Sequence, residues 1–182
     1  MHADTTAQMI SPRVDLGASP LFRKEFRLDA GHGAVASATL RMSSLGVFEA
    51  FLNGRPVGDD ILSPGWSAYE WRLRFRTYDV TELIENTMVL AATVGNGWYR
   101  GRLGFTGGRA LYGDRLGLIA DLRITFEDGH RQFVVTDETW SVGGSDVLAD
   151  DLYDGQIIDA RRRTDDWYVP GHPREPATNP SG

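Results

Sequence analysis

Apolar and polar residues alternate with period two in several stretches of the chain. Leu40-Arg41-Met42-Ser43 and Phe48-Glu49-Ala50-Phe51-Leu52 each put every second side chain on one face, the mark of half-buried strands. Asn53-Gly54 follows the second, a dipeptide that tolerates positive φ at both centres of a type I′ turn. Trp71-Arg72-Leu73-Arg74-Phe75-Arg76 is the cleanest alternation, three apolar residues opposite three arginines, and it predicts a further strand. Met88 to Val94 is more continuously apolar, as in a central strand covered on both faces. Leu116 to Phe126 predicts a long strand, which Glu127-Asp128-Gly129-His130 turns into a partner at Gln132 to Thr136. Shorter segments follow around Trp140, at Val147-Leu148 and over Asp151 to Arg161.

One stretch reads as helical: Asp79-Val80-Thr81-Glu82-Leu83-Ile84, with Asp79 placed to cap one or two turns. Helices of the length an α/β crossover needs are missing. Short, regularly spaced strands with glycine-rich turns predict an all-β fold, an antiparallel β-sandwich of the jelly-roll or carbohydrate-binding-module kind. Residues 1–16 are polar and aperiodic and read as a flexible N-terminal tail. Residues 170–182 read as a proline-rich C-terminal tail. Between them, 17–169 form one domain with no internal repeat or linker.

Composition narrows the function classes. With 182 residues, 41% hydrophobic and 24% charged, the chain can bury a core without a staple. Nineteen basic against 25 acidic residues give a formal charge of −6 with no basic run, so a nucleic-acid partner is not expected. The absence of cysteine excludes disulfides, thiolate metal sites and a cysteine nucleophile. No apolar run approaches the ~20 residues of a membrane span, so no membrane partner is expected. Met1 to Ile10 carries no signal-peptide pattern, and the compartment, cytoplasmic or secreted, stays open.

The aromatic residues are the most suggestive feature. Trp66 and Tyr69 follow a Pro-Gly turn in Leu62-Ser63-Pro64-Gly65-Trp66-Ser67-Ala68-Tyr69. Trp98 and Tyr99 sit in Gly95-Asn96-Gly97-Trp98-Tyr99-Arg100-Gly101, hemmed in by glycine. Aromatic faces stack on the C–H face of a sugar while Asn, Asp and Arg bond its hydroxyls. Against this stands the plainer reading that these tryptophans plug the ends of a sandwich.

Asp150-Asp151-Leu152-Tyr153-Asp154-Gly155-Gln156, with Asp159 and Arg161, holds several carboxylates of the kind Ca²⁺ takes as ligands. The spacing is not that of an EF-hand loop, and solvated acids pairing with nearby arginines are the alternative. For glycoside hydrolysis two carboxylates must face each other across a cleft, and no acid stands in a context that demands such a role. His2, His32, His130 and His172 show no metal-ligand spacing and no Gly-x-Ser-x-Gly partner.

Taken in order, these segments resemble the N-terminal β-sandwich domain of bacterial α-L-rhamnosidases. The matching stretches are Ser19-Pro20-Leu21-Phe22-Arg23-Lys24-Glu25-Phe26, Ser44-Leu45-Gly46-Val47-Phe48-Glu49 running into Asn53-Gly54, and Leu62-Ser63-Pro64-Gly65-Trp66 with Tyr69. Thr77-Tyr78-Asp79-Val80-Thr81, Gly95 to Gly101, Tyr112-Gly113-Asp114, Thr136-Asp137 with Trp140, and Asp151 to Arg161 complete the set, so the likeness spans about residues 17 to 167. The resemblance implies a module without catalytic residues of its own, hydrolysis belonging to a separate (α/α)₆ barrel on a longer bacterial chain. The module would aid recognition of L-rhamnose-containing glycans, or brace the barrel without binding sugar. Expected sugar contacts are Asn53, Trp66, Tyr69, Asn96, Trp98, Tyr99, Arg100 and Asp154, with no cofactor beyond the Ca²⁺ that the acidic loop suggests. The chain departs from the family pattern at Asn96, where Asp is common, at Gln156 and Ile158, where Glu and Tyr are common, and around Glu85-Asn86-Thr87, where a Gly-x-Asn is absent.

Overall fold

The alternating segments become strands wherever a neighbour completes their hydrogen bonds. A computed structural model describes residues 6–105, 107–163 and 165–171. In chain order the strands are β1 (Pro20–Arg27), β2 (Val35–Leu45), β3 (Val47–Leu52), β4 (Arg55–Pro56), β5 (Arg76–Asp79), β6 (Thr87–Gly95), β7 (Gly117–Phe126), β8 (Arg131–Val135), β9 (Ser141–Gly144), β10 (Val147–Asp151) and β11 (Gly155–Ile158). One helical turn, α1 (Gly97–Arg100), follows β6.

Two antiparallel sheets result. One has the order β4-β3-β6-β1-β9 and the other β5-β2-β7-β8, while β10 and β11 form a separate hairpin. Inward residues of both sheets make a single core: Phe22, Phe48, Leu52, Met88 and Leu90 from the first meet Leu40, Met42, Leu118, Leu122 and Ile124 from the second. Each such side chain contributes about 1.5–3 kcal/mol by leaving water. The β-sandwich expected from periodicity is therefore the fold, and β2 and β7 form its longest pairing.

The central position of β6 explains its apolar run. Met88, Leu90, Ala92 and Val94 face the core, while Val89 and Ala91 are equally buried on the other side. That outer side is covered by the segment after β11. Arg23, itself buried, donates from Nε to the Trp167 carbonyl (3.0 Å) and from Nη2 to the Val169 carbonyl (3.0 Å) and Glu25 (2.7 Å). The Tyr168 ring meets Phe51 edge-on at 4.9 Å. Residues 160–163 and 165–169 thus form a strap across the sheet.

Three expectations need correction. Trp71 to Phe75 is not a strand: the Trp71 and Arg72 N–H groups both donate to the Ala68 carbonyl (2.9 and 3.0 Å), which turns the chain away from the sheet edge. Pairing with β2 begins only at Arg76, and Trp71 is left 88% exposed. Asp79 to Ile84 yields only a 3₁₀ turn at Thr81–Leu83, because β5 retains Asp79. Val80 takes the N-cap position without a side-chain bond, and Asp79, one residue earlier, accepts the Thr81 N–H through Oδ1 at 3.0 Å. A flexible tail does not describe all of 1–16: Gln8 N–H donates to the Thr136 carbonyl (2.8 Å), and Ile10 bridges Leu118. Most of the proline-rich tail from 170 onward, with His2 and His172, lies outside the described residues.

Candidate functional site

The end of the sandwich where β6 finishes and β7 begins gathers the aromatic loops. Gly97 adopts φ +49°, and a Cβ there would stand 2.6 Å from Val47 Cγ1, so only glycine lets α1 fold against β3. The turn carries Trp98 and Tyr99. Tyr99 packs inward, its hydroxyl beneath Gly113, where a Cβ would lie 2.1 Å from it. The Pro64-Gly65 turn is tied to β3 by Phe48 N–H donating to the Ser63 carbonyl at 2.6 Å, and it brings Trp66 alongside.

Trp66 and Trp98 lie parallel, with ring centroids 6.2 Å apart and an interplanar angle of 2°. Trp66 is 48% exposed and its indole N–H donates to the Tyr112 hydroxyl at 3.3 Å. Tyr69 sits behind them, 5.1 Å from the Tyr99 ring and 5.0 Å from the Tyr112 ring. Its hydroxyl is buried without a hydrogen-bond partner. Burial, with Tyr112 and Tyr99 adding to it, pushes the Tyr69 phenol up to about 12.

Two carboxylates of β10 hold this loop from below. Asp150 Oδ1 accepts the Asn96 N–H (2.5 Å), and the Asn96 side-chain amide donates to the Asp150 carbonyl (2.6 Å). An Asp at position 96 could not make that second bond, which gives the departure from the family pattern a physical role. Arg100 Nε donates to the Asn96 side-chain oxygen. Asp151 accepts the Arg102 N–H (2.8 Å) and the Tyr153 N–H (2.9 Å) and pairs with Arg109 (2.8 Å). Burial alone would raise the Asp151 carboxyl, but the N–H donors of Arg102, Tyr153 and Asp154 and the Arg109 guanidinium hold it below the usual carboxylate range.

Six of the eight expected sugar contacts therefore share one end: Trp66, Tyr69, Asn96, Trp98, Tyr99 and Arg100. Of these, Tyr99 is buried and the Asn96 side chain is engaged by Asp150 and Arg100. Arg100 also lines a groove of about 260 Å³ with Asp114 and Arg115. Asp154 lies on the neighbouring hairpin, paired with Arg102 (2.5 Å) and with Arg109. Asn53 is not brought to this end. Its side chain bonds Val89, Thr87 and Glu85 at the start of β6, about 20 Å of strand away. Tyr112 joins the cluster without having been singled out; its Tyr-Gly-Asp loop has the same glycine-bounded aromatic character as the two that were.

The Ca²⁺ expectation meets carboxylates already occupied by N–H donors. Asp150, Asp151, Asp154 and Asp159 each accept from backbone or arginine groups. Among the described residues no group of three or more His, Asp or Glu side chains converges as a cation would need. Gln156, at the second departure, lines a cavity of about 180 Å³ with Ser19, Glu49, Thr93 and Asp150.

The sequence profile of the α-L-rhamnosidase N-terminal domain matches residues 33–178. The chain belongs to this family. An α-L-rhamnosidase of Streptomyces avermitilis is 39% identical over 155 residues, covering 85% of this chain and 15% of that protein. One from Formosa agariphila is 33% identical over 149 residues, covering 80% of this chain and 16% of that one. The crystal structure of the Aspergillus terreus α-L-rhamnosidase superimposes with a TM-score of 0.82 at 38% identity, over 90% of this chain and 19% of that one. The Streptomyces avermitilis enzyme, solved in complex with L-rhamnose, gives a TM-score of 0.80. This α-L-rhamnosidase N-terminal domain thus spans less than a fifth of the length of those relatives, and its two-sheet fold is theirs.

Proposed function

We propose that this domain is a noncatalytic module of an α-L-rhamnosidase that recognises L-rhamnosyl units of the substrate. The observation that carries the proposal is the parallel Trp66–Trp98 pair, with Trp66 half exposed and bonded to the Tyr112 hydroxyl. L-Rhamnose carries a methyl at C5 and a C–H face, surfaces that stack on indole, while the Tyr112 phenol offers a partner to its hydroxyls. Aromatic side chains that serve only as plugs are buried; Trp66 is half in water. Calorimetric titration with L-rhamnose, first with Ca²⁺ and then with chelator, tests this. Saturable heat that is reduced in Trp98→Ala supports recognition, and dependence on chelator would bring the acidic hairpin into the site. Absence of heat at millimolar sugar sinks it.

A second reading, a brace for the catalytic barrel of the parent chain, draws on the β10–β11 hairpin. Ile157 and Ile158 are adjacent on β11, so they face opposite sides, yet they are 61% and 56% exposed. Phe105, 93% exposed, extends the same apolar edge toward Tyr153. A strand exposed along its whole length, as β11 is, is the kind of surface another domain covers. Under this reading the isolated domain binds no sugar, and replacing both isoleucines by serine leaves its melting temperature unchanged while raising its solubility.

A further inference from the structure

A cavity of about 510 Å³ lies away from the tryptophan pair, between the strap and the outer face of the β3–β6–β1 sheet. Its volume is that of a small-ligand cleft. Phe51 and Tyr168 supply an aromatic wall, with Glu49, Asp146, Arg162 and Arg163 around it. The polar groups are unevenly engaged. Arg163 pairs with Asp165 at 3.1 Å. The side chains of Glu49, Asp146 and Arg162 make no hydrogen bond or ion pair with any described residue. Two carboxylates and a guanidinium therefore border an open cleft with their hydrogen-bonding capacity unused.

Tyr168 lines the same cleft as these groups. Burial raises its phenol, its hydrogen bond with Thr93 (3.4 Å) works against the rise, and the negative charges of Asp146 and Glu49 add to it. Both acids thus act on the same hydroxyl. Acceptors and a donor lining one cleft with a phenol suit a neutral polyol better than an ion: a carboxylate takes two vicinal hydroxyls, a guanidinium donates to a third, and the ring meets C–H groups. A phosphate or carboxylate ligand would face Glu49 and Asp146, and an amine would face Arg162 and Arg163.

We infer that the cleft beneath the strap is a second saccharide site, which takes a neutral sugar residue between Tyr168 and the Glu49–Asp146–Arg162 group. It does not depend on sugar binding at Trp66 and Trp98. Chemical-shift titration of the ¹⁵N-labelled domain with L-rhamnose, and then with the disaccharide α-L-rhamnosyl-(1→6)-D-glucose, reads both sites at once. Saturable shifts of the Ser145, Asp146, Arg162 and Tyr168 amides with either sugar are expected. The double substitution Asp146→Asn with Arg162→Ala should weaken them about tenfold, while Trp98→Ala leaves them unchanged. Amides that stay put at millimolar sugar, or that shift with the same affinity in the double variant, overturn the inference. Loss of the Trp98 indole shift alone would count against the recognition reading and leave this one standing.

Discussion

Asn53 and Val89 bond each other twice: the Asn53 N–H donates to the Val89 carbonyl at 3.0 Å, and the Val89 N–H donates to the Asn53 side-chain oxygen at 2.7 Å. The β3–β6 ladder ends at Leu52 and Leu90, so this pair extends it by one rung through a side chain. The Asn53 amide also donates to the Thr87 carbonyl and Glu85, at 3.1 Å each. Asn53→Ala leaves the buried Val89 N–H unpaired and is expected to cost about 2 kcal/mol, lowering the melting temperature by about 4–8 °C. L-Rhamnose affinity should stay at the native value, which calorimetry on the same variant checks.

Gly97→Ala would place a Cβ 2.6 Å from Val47 in a backbone conformation with φ +49°. The substitution should destabilise by about 1–3 kcal/mol and shift α1 outward. Near-ultraviolet circular dichroism should lose the signal of the parallel indole pair, since Trp98 moves and Trp66 does not.

The Tyr69 phenol, pushed up to about 12 by burial and by its neighbours Tyr112 and Tyr99, favours its neutral form in the fold. Its stabilising contribution is complete below the ordinary phenol value near 10 and is lost as pH rises toward 12. Absorbance titration of tyrosinate should therefore show late-ionising phenols with Tyr69 among them, and unfolding by alkali should steepen across that window. Tyr69→Phe, which removes the unpaired hydroxyl, is expected to flatten it.

Asp151 behaves in the opposite sense. Its carboxyl is held below the usual range against its own burial by three N–H groups and Arg109, so its contribution is present above the ordinary Asp value and declines as pH falls through the lowered one. Asp151→Ala should cost about 2–3 kcal/mol and remove the acid-dependent part of the stability. Hydrogen exchange at the Arg102 and Tyr153 amides, whose acceptor is lost, should accelerate together.

Much of the fold was legible. The apolar run Met88 to Val94 marked a strand covered twice, and Asn53-Gly54 turns with φ +47° and +76° as that dipeptide allows. The misreadings have local causes. Period two in Trp71 to Phe75 describes which way side chains would face in a strand, but a turn onto the Ala68 carbonyl denies that segment a partner. The α1 turn lies in a glycine-rich loop whose helical shape comes from carboxylates 54 residues downstream, a distance over which propensity says nothing. Asn53 looked like a sugar contact because its residue type is right for one; only the register of β3 on β6 reveals that its amide is occupied. The acidic loop likewise offered candidate ligands, and only the fold matches them to their donors.

The grip of Asp150 and Asp151 on residues 96–102 also bears on how this surface could be moved or altered. The indole pair cannot be lifted out as one peptide, because the piece that shapes it and the piece that displays it come from distant stretches of the gene. A graft onto another sandwich would have to carry the 147–158 hairpin together with the 95–102 loop. A change at position 96 would forfeit the bond to the carbonyl at 150, and a change at 150 would take the acceptor from the N–H at 96.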